Sequence, residues 1–239
     1  MNDRSCHRGA GRGLEAHASD VRGKLYANAG NTRLLSLVPD GLRTVLDIGC
    51  GAGDNARALV PRGVQVDGIT LSEHERIVAS QWLRRCWVHD LELGLPLGLA
   101  DRYDAVMCSH VLEHLRWPER LLAALRSLMT PGQSRLLVAL PNLLTYKNRA
   151  KLLMGRFEYE ESGIMDASHF RWYTFVTARR LVEQAGYRVL VHQAAGSAPI
   201  PLVRRHLPTR LTGVVDRIAE RTFPGLFGGQ ILVVATPTE

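Results

Sequence analysis

The stretch Thr44 to Asp54, T-V-L-D-I-G-C-G-A-G-D, constrains the rest of the chain more than any other. Thr44, Val45, Leu46 and Ile48 are apolar or β-branched, with Asp47 near the end. They predict a strand buried in a parallel sheet. Gly49, Gly51 and Gly53 follow at alternate positions. Glycine takes positive φ without strain and has no Cβ to hold a ligand away. Asn55 to Val60 predicts a helix, stopped by Pro61. Strand, glycine turn and helix make the nucleotide-binding half of a doubly wound sheet. Backbone N–H groups and a helix N-terminus then face the crevice above the sheet.

The glycine spacing selects among ligands. A dinucleotide fingerprint G-x-G-x-x-G needs a third glycine at position 54, where Asp54 would meet the pyrophosphate. No G-K-[ST] of a phosphate-binding loop follows the turn. The pattern D-x-G-x-G-x-G, Asp47 through Gly53, resembles motif I of class I S-adenosylmethionine-dependent methyltransferases. The resemblance implies a cofactor with a zwitterionic amino-acid end and no phosphate. It sets Asp47, Gly49, Cys50, Gly51 and Gly53 against that cofactor.

The alternation of elements agrees with an α/β fold. Strands are predicted over Val64–Thr70, Cys86–His89, Tyr103–Ser109, Arg135–Leu140, Tyr187–His192 and Ile231–Ala235. Ser72 is placed to cap a helix over 73–83, and Pro118 opens a helix ending near Met129. A further helix runs from Thr177 to Ala185 and is closed by Gly186. The expected fold is a doubly wound, seven-stranded, mostly parallel sheet with helices on both faces. The 239 residues suit a single methyltransferase-like domain. Residues 1–20 predict disorder, and 21–40 one or two short helices. Two stretches, 142–174 and 196–229, exceed ordinary loops and predict insertions over the active-site side. The second carries apolar Leu211, Val214, Val215 and Ile218 at helical spacing over Thr209 to Phe223.

Composition narrows the setting. Met1 to Asp20 has no apolar core of a signal peptide, and no apolar run spans a membrane. Cys6, Cys50, Cys86 and Cys108 show no C-x-x-C spacing and read as reduced cytoplasmic thiols. The net charge of +7 is spread over the chain, with only 6% aromatics and no nucleic-acid-binding module. No nucleic-acid partner is expected. The Arg-bearing insertions suit an anionic acceptor, and the second suits peripheral contact with a membrane surface.

Downstream residues extend the resemblance in order. Gly68-Ile69-Thr70-Leu71-Ser72-Glu73-His74-Glu75 looks like the cyclopropane-synthase-like branch. It implies that Thr70 and Glu75 hold the ribose in place of the usual single acid, with Leu71 beside them. Asp67 is a second acid on that strand, and pairing within the sheet is its alternative. Asp90, followed by Leu91, stands where the family holds adenine. Tyr103-Asp104-Ala105-Val106-Met107-Cys108-Ser109-His110-Val111-Leu112-Glu113-His114 resembles the fourth-strand motif and brings Ser109 to the cofactor. The segment from Gly163 to Thr174 resembles a bacterial branch that includes MetW-like and glycan-associated proteins. The implied activity is O-methylation of a small molecule or a sugar- or glycan-type acceptor.

His110 and His169 are the candidate bases. His110 lies at the mouth of the fourth strand, and His169 lies in the first insertion, with Asp166 expected to orient its ring. Arg171 is the candidate for acceptor binding. Two other classes compete: a cofactor-binding protein without turnover, and a zinc peptidase. His110-Val111-Leu112-Glu113-His114 fits H-x-x-E-H. That motif requires one helix carrying both histidines, whereas His110 is predicted at a strand end. No metal is therefore expected.

Overall fold

The computed structural model describes residues 30–99, 101–196 and 209–239. The stretch expected to be disordered, residues 21–29 of the 21–40 region and Cys6 lie outside them. The strands are β1 (Thr44–Ile48), β2 (Gln65–Thr70), β3 (Arg85–Val88), β4 (Ala105–Ser109), β5 (Arg135–Pro141), β6 (Tyr187–Gly196) and β7 (Gly228–Pro237). The helices are α1 (Thr32–Leu35), α2 (Asp54–Leu59), α3 (Glu73–Ala79), α4 (Pro118–Leu125), α5 (Tyr146–Leu153), α6 (Phe175–Gln184), α7 (Thr209–Thr222) and α8 (Pro224–Phe227).

The seven strands form one sheet in the order β3-β2-β1-β4-β5-β7-β6. β1 lies parallel to β2 and β4, and β5 parallel to β4. Only β7 is reversed, running antiparallel to both β5 and β6. The reason lies in the connection. β6 ends at Gly196, whose register partner is Gly228, the first residue of β7. The chain thus leaves and re-enters the sheet at the same end. Both glycines are needed there. A Cβ on Gly228 would stand 2.3 Å from the Ala194 Cβ, and one on Gly196 would stand 2.3 Å from the Phe227 carbonyl.

Period-two alternation divides the strand side chains between two core layers. Leu46, Ile48, Val106 and Val138 face α4 and α6, through Leu121, Leu122, Ala178 and Val182. Val45, Val66, Met107 and Leu137 face α1 and α2, through Leu34, Ala56 and Leu59. Burying one such aliphatic side chain contributes about 1.5–3 kcal/mol. Ser72 caps α3 as expected, accepting from the Glu75 N–H at 3.4 Å, and Pro118 occupies the first turn of α4.

Asp67 belongs to this framework. It is fully buried and accepts from Arg84 Nη2 and Arg85 Nη2 at 2.6 Å and from the Tyr103 hydroxyl at 2.8 Å. Burial pushes its pKa up, but these donors outweigh burial and hold it at about 2. The paired-carboxylate alternative is the observed one.

The first insertion holds α5 and an aromatic cluster of Phe157, Tyr159 and Trp172, with centroids 5.8–5.9 Å apart. Asn142 ties both insertions together. Its Nδ2 donates to the carbonyls of Gly225 and Gly228 at 3.1 and 2.7 Å. The second insertion carries α7 within the expected span. No helix among the described residues is long and apolar enough to cross a membrane.

Candidate functional site

A cavity of about 860 Å³ opens above the carboxyl ends of β1, β2 and β4. A doubly wound sheet binds ligands there. The glycine turn forms its floor, with Gly49, Cys50 and Gly51 among the lining residues. Gly49 has φ +69°, and a Cβ on it would stand 2.3 Å from Val111 Cγ2. No larger residue fits between the cavity and β4's outgoing loop.

Two motif residues sit elsewhere than the sequence suggests. Gly53 is not in the lining. It caps α2 at φ +82°, and a Cβ on it would press Ala79 of α3 at 3.2 Å. Its role is helix packing. Asp47 also stands behind the cavity wall, fully buried, and accepts from Asn55 Nδ2 at 3.3 Å. Its Oδ1 has no hydrogen-bond partner. Burial pushes its pKa up to about 7, and the Asn55 bond offsets only part of that.

Thr70, Leu71, Glu75, Asp90 and Leu91 line one wall. The Thr70 hydroxyl donates to Glu75 Oε2 at 2.5 Å. Asp90 Oδ1 accepts from the Glu92 N–H at 3.0 Å and so starts a short 3₁₀ turn over Leu91–Leu93. A carboxylate has about four lone-pair positions, so this cap leaves acceptor capacity for a ligand. His89 also lines the wall, and its Nε2 is a buried atom without a partner.

Ser109 and His110 line the opposite wall. His110 takes φ +57°, the one non-glycine among the described residues with positive φ. That conformation is uncommon outside glycine and marks a constrained position. The ring is held at both nitrogens: Nδ1 lies 3.1 Å from Glu113 Oε1 and Nε2 lies 3.2 Å from Gln230 Oε1. Desolvation in the crevice works against the charged ring, but Glu113 and Gln230 outweigh it and raise the pKa above the ordinary imidazole value. Asn31 completes this wall. Its Nδ2 donates to Ser109 Oγ at 3.1 Å and to Gln230 Oε1 at 3.0 Å.

Behind that wall lie Glu113, His114 and His169, with one ligand-type atom of each within 4.8 Å of the others. His114 reaches the cavity; His169 does not and is 8% exposed. The expected partnership of His169 with Asp166 is absent. Asp166 Oδ1 accepts instead from the Ser168 hydroxyl at 2.6 Å and the Ser168 N–H at 2.8 Å, because the tight turn brings Ser168 closer. With its proton on Asp166, the Ser168 hydroxyl accepts from His114 Nδ1 at 3.1 Å. His169 Nδ1 donates to the Ile164 carbonyl at 3.1 Å. A neutral imidazole protonated at Nδ1 carries its lone pair on Nε2. Burial lowers the His169 pKa, and the neighbouring His114 adds to the effect. Glu113 Oε2 is buried without a hydrogen-bond partner. The donor set is thus a carboxylate oxygen and two imidazoles, the chemistry of a transition-metal site.

Arg171 also departs from its expected place. It donates from Nε and Nη2 to the Arg116 carbonyl at 3.1 and 2.7 Å and is not in the cavity lining. The arginines in the lining are Arg33 and Arg116, and the Arg116 guanidinium lies 5.2 Å from the Phe170 ring. The H-x-x-E-H pattern is not the peptidase arrangement. His110 sits at a strand end and His114 in a 3₁₀ turn, so the two are not one helical turn apart on a common helix.

Comparison with known proteins agrees with this fold. The family model described as a methyltransferase domain matches residues 19–192. The chain belongs to that family. The resemblance to class I S-adenosylmethionine-dependent methyltransferases therefore stands, and with it the seven-stranded fold. A solved S-adenosylmethionine-dependent methyltransferase from Archaeoglobus fulgidus is 19% identical, with TM-score 0.63 over 93% of this chain and 99% of that one. The Burkholderia thailandensis 1,6-didemethyltoxoflavin-N1-methyltransferase, solved with S-adenosylhomocysteine, is 16% identical, with TM-score 0.59 over 99% and 94%. A curated relative, the ubiquinone biosynthesis O-methyltransferase of Chromobacterium violaceum, is 34% identical over 102 residues. That match spans 38% of this chain and 41% of the relative. The Leptothrix cholodnii enzyme of the same name is 36% identical over 106 residues, 39% of this chain and 42% of the relative. The chain thus matches about two fifths of the length of these relatives. Neither relative is named for a sugar or glycan acceptor.

Within the family frame, the sequence signals missed Asn31, His89 and Gln230 as site residues, and marked Glu113 and His114 only through H-x-x-E-H. Asn31 precedes T-R-L-L and accepts from Leu34 N–H as a helix cap, a readable signal. Gln230 had only its polarity at the start of an apolar strand to mark it.

Proposed function

We propose that this chain is an S-adenosylmethionine-dependent O-methyltransferase acting on a small hydroxylated acceptor. One observation carries the reading: a single cavity joins the glycine turn, the Thr70–Glu75 pair and Asp90 to a wall bearing His110 and His114. Gly49, Cys50 and Gly51 offer backbone to the amino-acid end of the cofactor, with Asp47 acting from behind. Thr70 and Glu75 take the ribose, Asp90 and Leu91 the adenine, and Leu71 and Ser109 flank them. Choice of oxygen as acceptor draws support from the names of the curated relatives. Arg116 at the rim suits an anionic group on the acceptor.

The sulfonium methyl is already activated. The protein must align the acceptor oxygen with the S–CH3 bond and exclude water, which is worth about 7–11 kcal/mol. The hydroxyl must also lose its proton. His110 faces the cavity and is the base in this reading: Glu113 orients the ring through Nδ1, and the acceptor hydroxyl takes the place of Gln230 at Nε2. His169 is a positioning residue at one remove. Glu113, His114 and His169 would hold a divalent cation which, through the side of the cluster where His114 reaches the cavity, would supply Lewis acidity toward the acceptor hydroxyl.

The decisive experiment offers methyl-labelled cofactor and fractionated small-molecule extract to the full chain. Mass spectrometry of the labelled product identifies the acceptor. An O-methyl product supports the reading. A C- or N-methyl product, or tight cofactor binding with no transfer, would overturn it.

A further inference from the structure

We propose that Cys50 and Cys86 are an oxidation site, at which a hydroperoxide forms a disulfide that distorts the cofactor turn. The two Sγ atoms lie 3.9 Å apart, although the residues are 36 positions apart in sequence. Their approach is built into the sheet. Cys86 on β3 is the register partner of Gly68 on β2. Gly68 leaves open the space into which Cys50 extends: a Cβ there would stand 2.6 Å from Cys50 Sγ. The Cys50 N–H donates to the Ile69 carbonyl at 2.9 Å, which fixes the turn across β2. The Cys50 thiol therefore crosses β2 through a gap that only glycine provides and meets the thiol on the next strand.

The two thiols differ in environment. Cys50 is buried at 5% exposure, whereas Cys86 is half-buried and within reach of a small oxidant. The hydrogen bond from Cys50 lowers the Cys86 pKa against the cost of burial, and Arg76 assists. Cys86 is thus the attacking sulfur. Cys108 is fully buried in the α4-facing core layer and takes no part.

The chemistry balances with hydrogen peroxide as oxidant. The Cys86 thiolate attacks one peroxide oxygen and the O–O bond breaks. The sulfenic acid forms, and the second oxygen leaves as hydroxide, which takes up a proton. The Cys50 sulfur then attacks the Cys86 sulfur. The S–S bond forms, the S–O bond breaks, and the oxygen leaves as water with the Cys50 proton. Two thiols lose two electrons and two protons in all, and one peroxide becomes two waters. The sulfurs must close from 3.9 Å to about 2.05 Å. β3 is held in the sheet through Asp67↔Arg85 to Thr70↔Val88. Closure pulls Cys50 toward β3 against its N–H bond to Ile69, and so strains the turn that carries Gly49 and Gly51.

The functional consequence rests on the cofactor reading above, and the test separates the two. The full chain is compared before and after one equivalent of peroxide, by intact mass, non-reducing peptide mapping and calorimetry with S-adenosylhomocysteine. A Cys50–Cys86 peptide should appear, affinity should fall by about tenfold or more, and dithiothreitol should restore it. Cys86→Ser should bind like the reduced protein and be insensitive to peroxide. A missing linked peptide, or a linked protein with undiminished affinity, would overturn the proposal. So would an equal loss of affinity in Cys86→Ser. If the reduced chain binds no S-adenosylhomocysteine, the cofactor reading and the switch both fall, and the peptide map alone still decides the disulfide.

Discussion

The Thr70 hydroxyl donates to the Glu75 carboxylate at 2.5 Å, at the end of β2 and beside the cavity. Thr70 comes from the strand and Glu75 from the first turn of α3, so the Ser72 cap between them sets their spacing. The pair presents a pre-oriented acceptor where the ribose of the cofactor is placed. Glu75→Ala should weaken S-adenosylhomocysteine binding by about 1–3 kcal/mol, the cost of leaving buried hydroxyls unpaired. Calorimetry reads this directly. Unchanged affinity would move the ribose away from this pair.

Asp47 should give the protein a pH dependence of its own. Its folded pKa of about 7 stands above the ordinary 3.8. The folded state therefore holds a proton that the unfolded chain has lost between those values. The stabilisation is full below about pH 4 and is lost as pH rises through 7, with a ceiling of roughly 4 kcal/mol. Thermal melts of the cofactor-free chain should show Tm falling between pH 5 and 8, and Asp47→Asn should flatten that slope. A bound ammonium nearby would favour the ionised form. Cofactor binding near pH 6 should then release a proton, detectable as a buffer-dependent binding enthalpy.

What the sequence conveyed divides along physical lines. Local rules placed β1, the glycine turn, the Ser72 cap and Pro118, because each depends on residues within a few positions. The reversal of β7 was not readable, since it arises from Gly196 meeting Gly228 across 32 residues. The same holds for the wall behind His110. Glu113 and His114 are next to it in sequence, but His169 arrives from the first insertion, and Gln230 from β7. Gly53 misled because glycine serves helix packing and ligand approach with one and the same residue.

Asp67 separates stability from function. Its folded pKa of about 2 lies below the ordinary 3.8, so its stabilising contribution is present above about pH 4 and is lost as pH falls through 2. Asp67→Asn should lower stability by about 1–3 kcal/mol through weakened bonds to Arg84, Arg85 and Tyr103. Cofactor affinity should hold, because Asp67 is outside the cavity. Denaturant melts and calorimetry on one preparation check both halves.

The two histidines first considered as bases should separate kinetically. His110 lines the cavity, whereas His169 is buried behind it. His110→Ala should lower kcat by about 10²–10⁴-fold if it moves the acceptor proton. His169→Ala should act through Glu113 and His114 and be partly offset by added divalent cation. Steady-state kinetics with and without the cation distinguish them. Equal, cation-independent losses would place both in one structural role.

The carboxylate and two imidazoles behind the wall make a prediction independent of turnover. Glu113 Oε2 is buried without a hydrogen-bond partner, a costly state for a carboxylate in a folded protein. His114 and His169 are each bonded at Nδ1, to Ser168 and Ile164, which turns their Nε2 lone pairs into the available ligands. Such outer bonds fix the tautomer that a metal requires. The chelator-treated full chain should therefore bind about one cobalt(II) or zinc(II) ion. For cobalt, visible absorption in the region of a four- or five-coordinate site should appear with N/O ligands. Glu113→Gln removes the anionic donor while keeping its shape, and should lower that affinity by at least tenfold. Arg171→Gln, at a surface position outside the cluster, should leave it unchanged. Titration by absorbance and elemental analysis after gel filtration give the answer. If wild type and Glu113→Gln take up metal equally, or neither does, the cluster is a packing arrangement and proton removal falls to His110 alone.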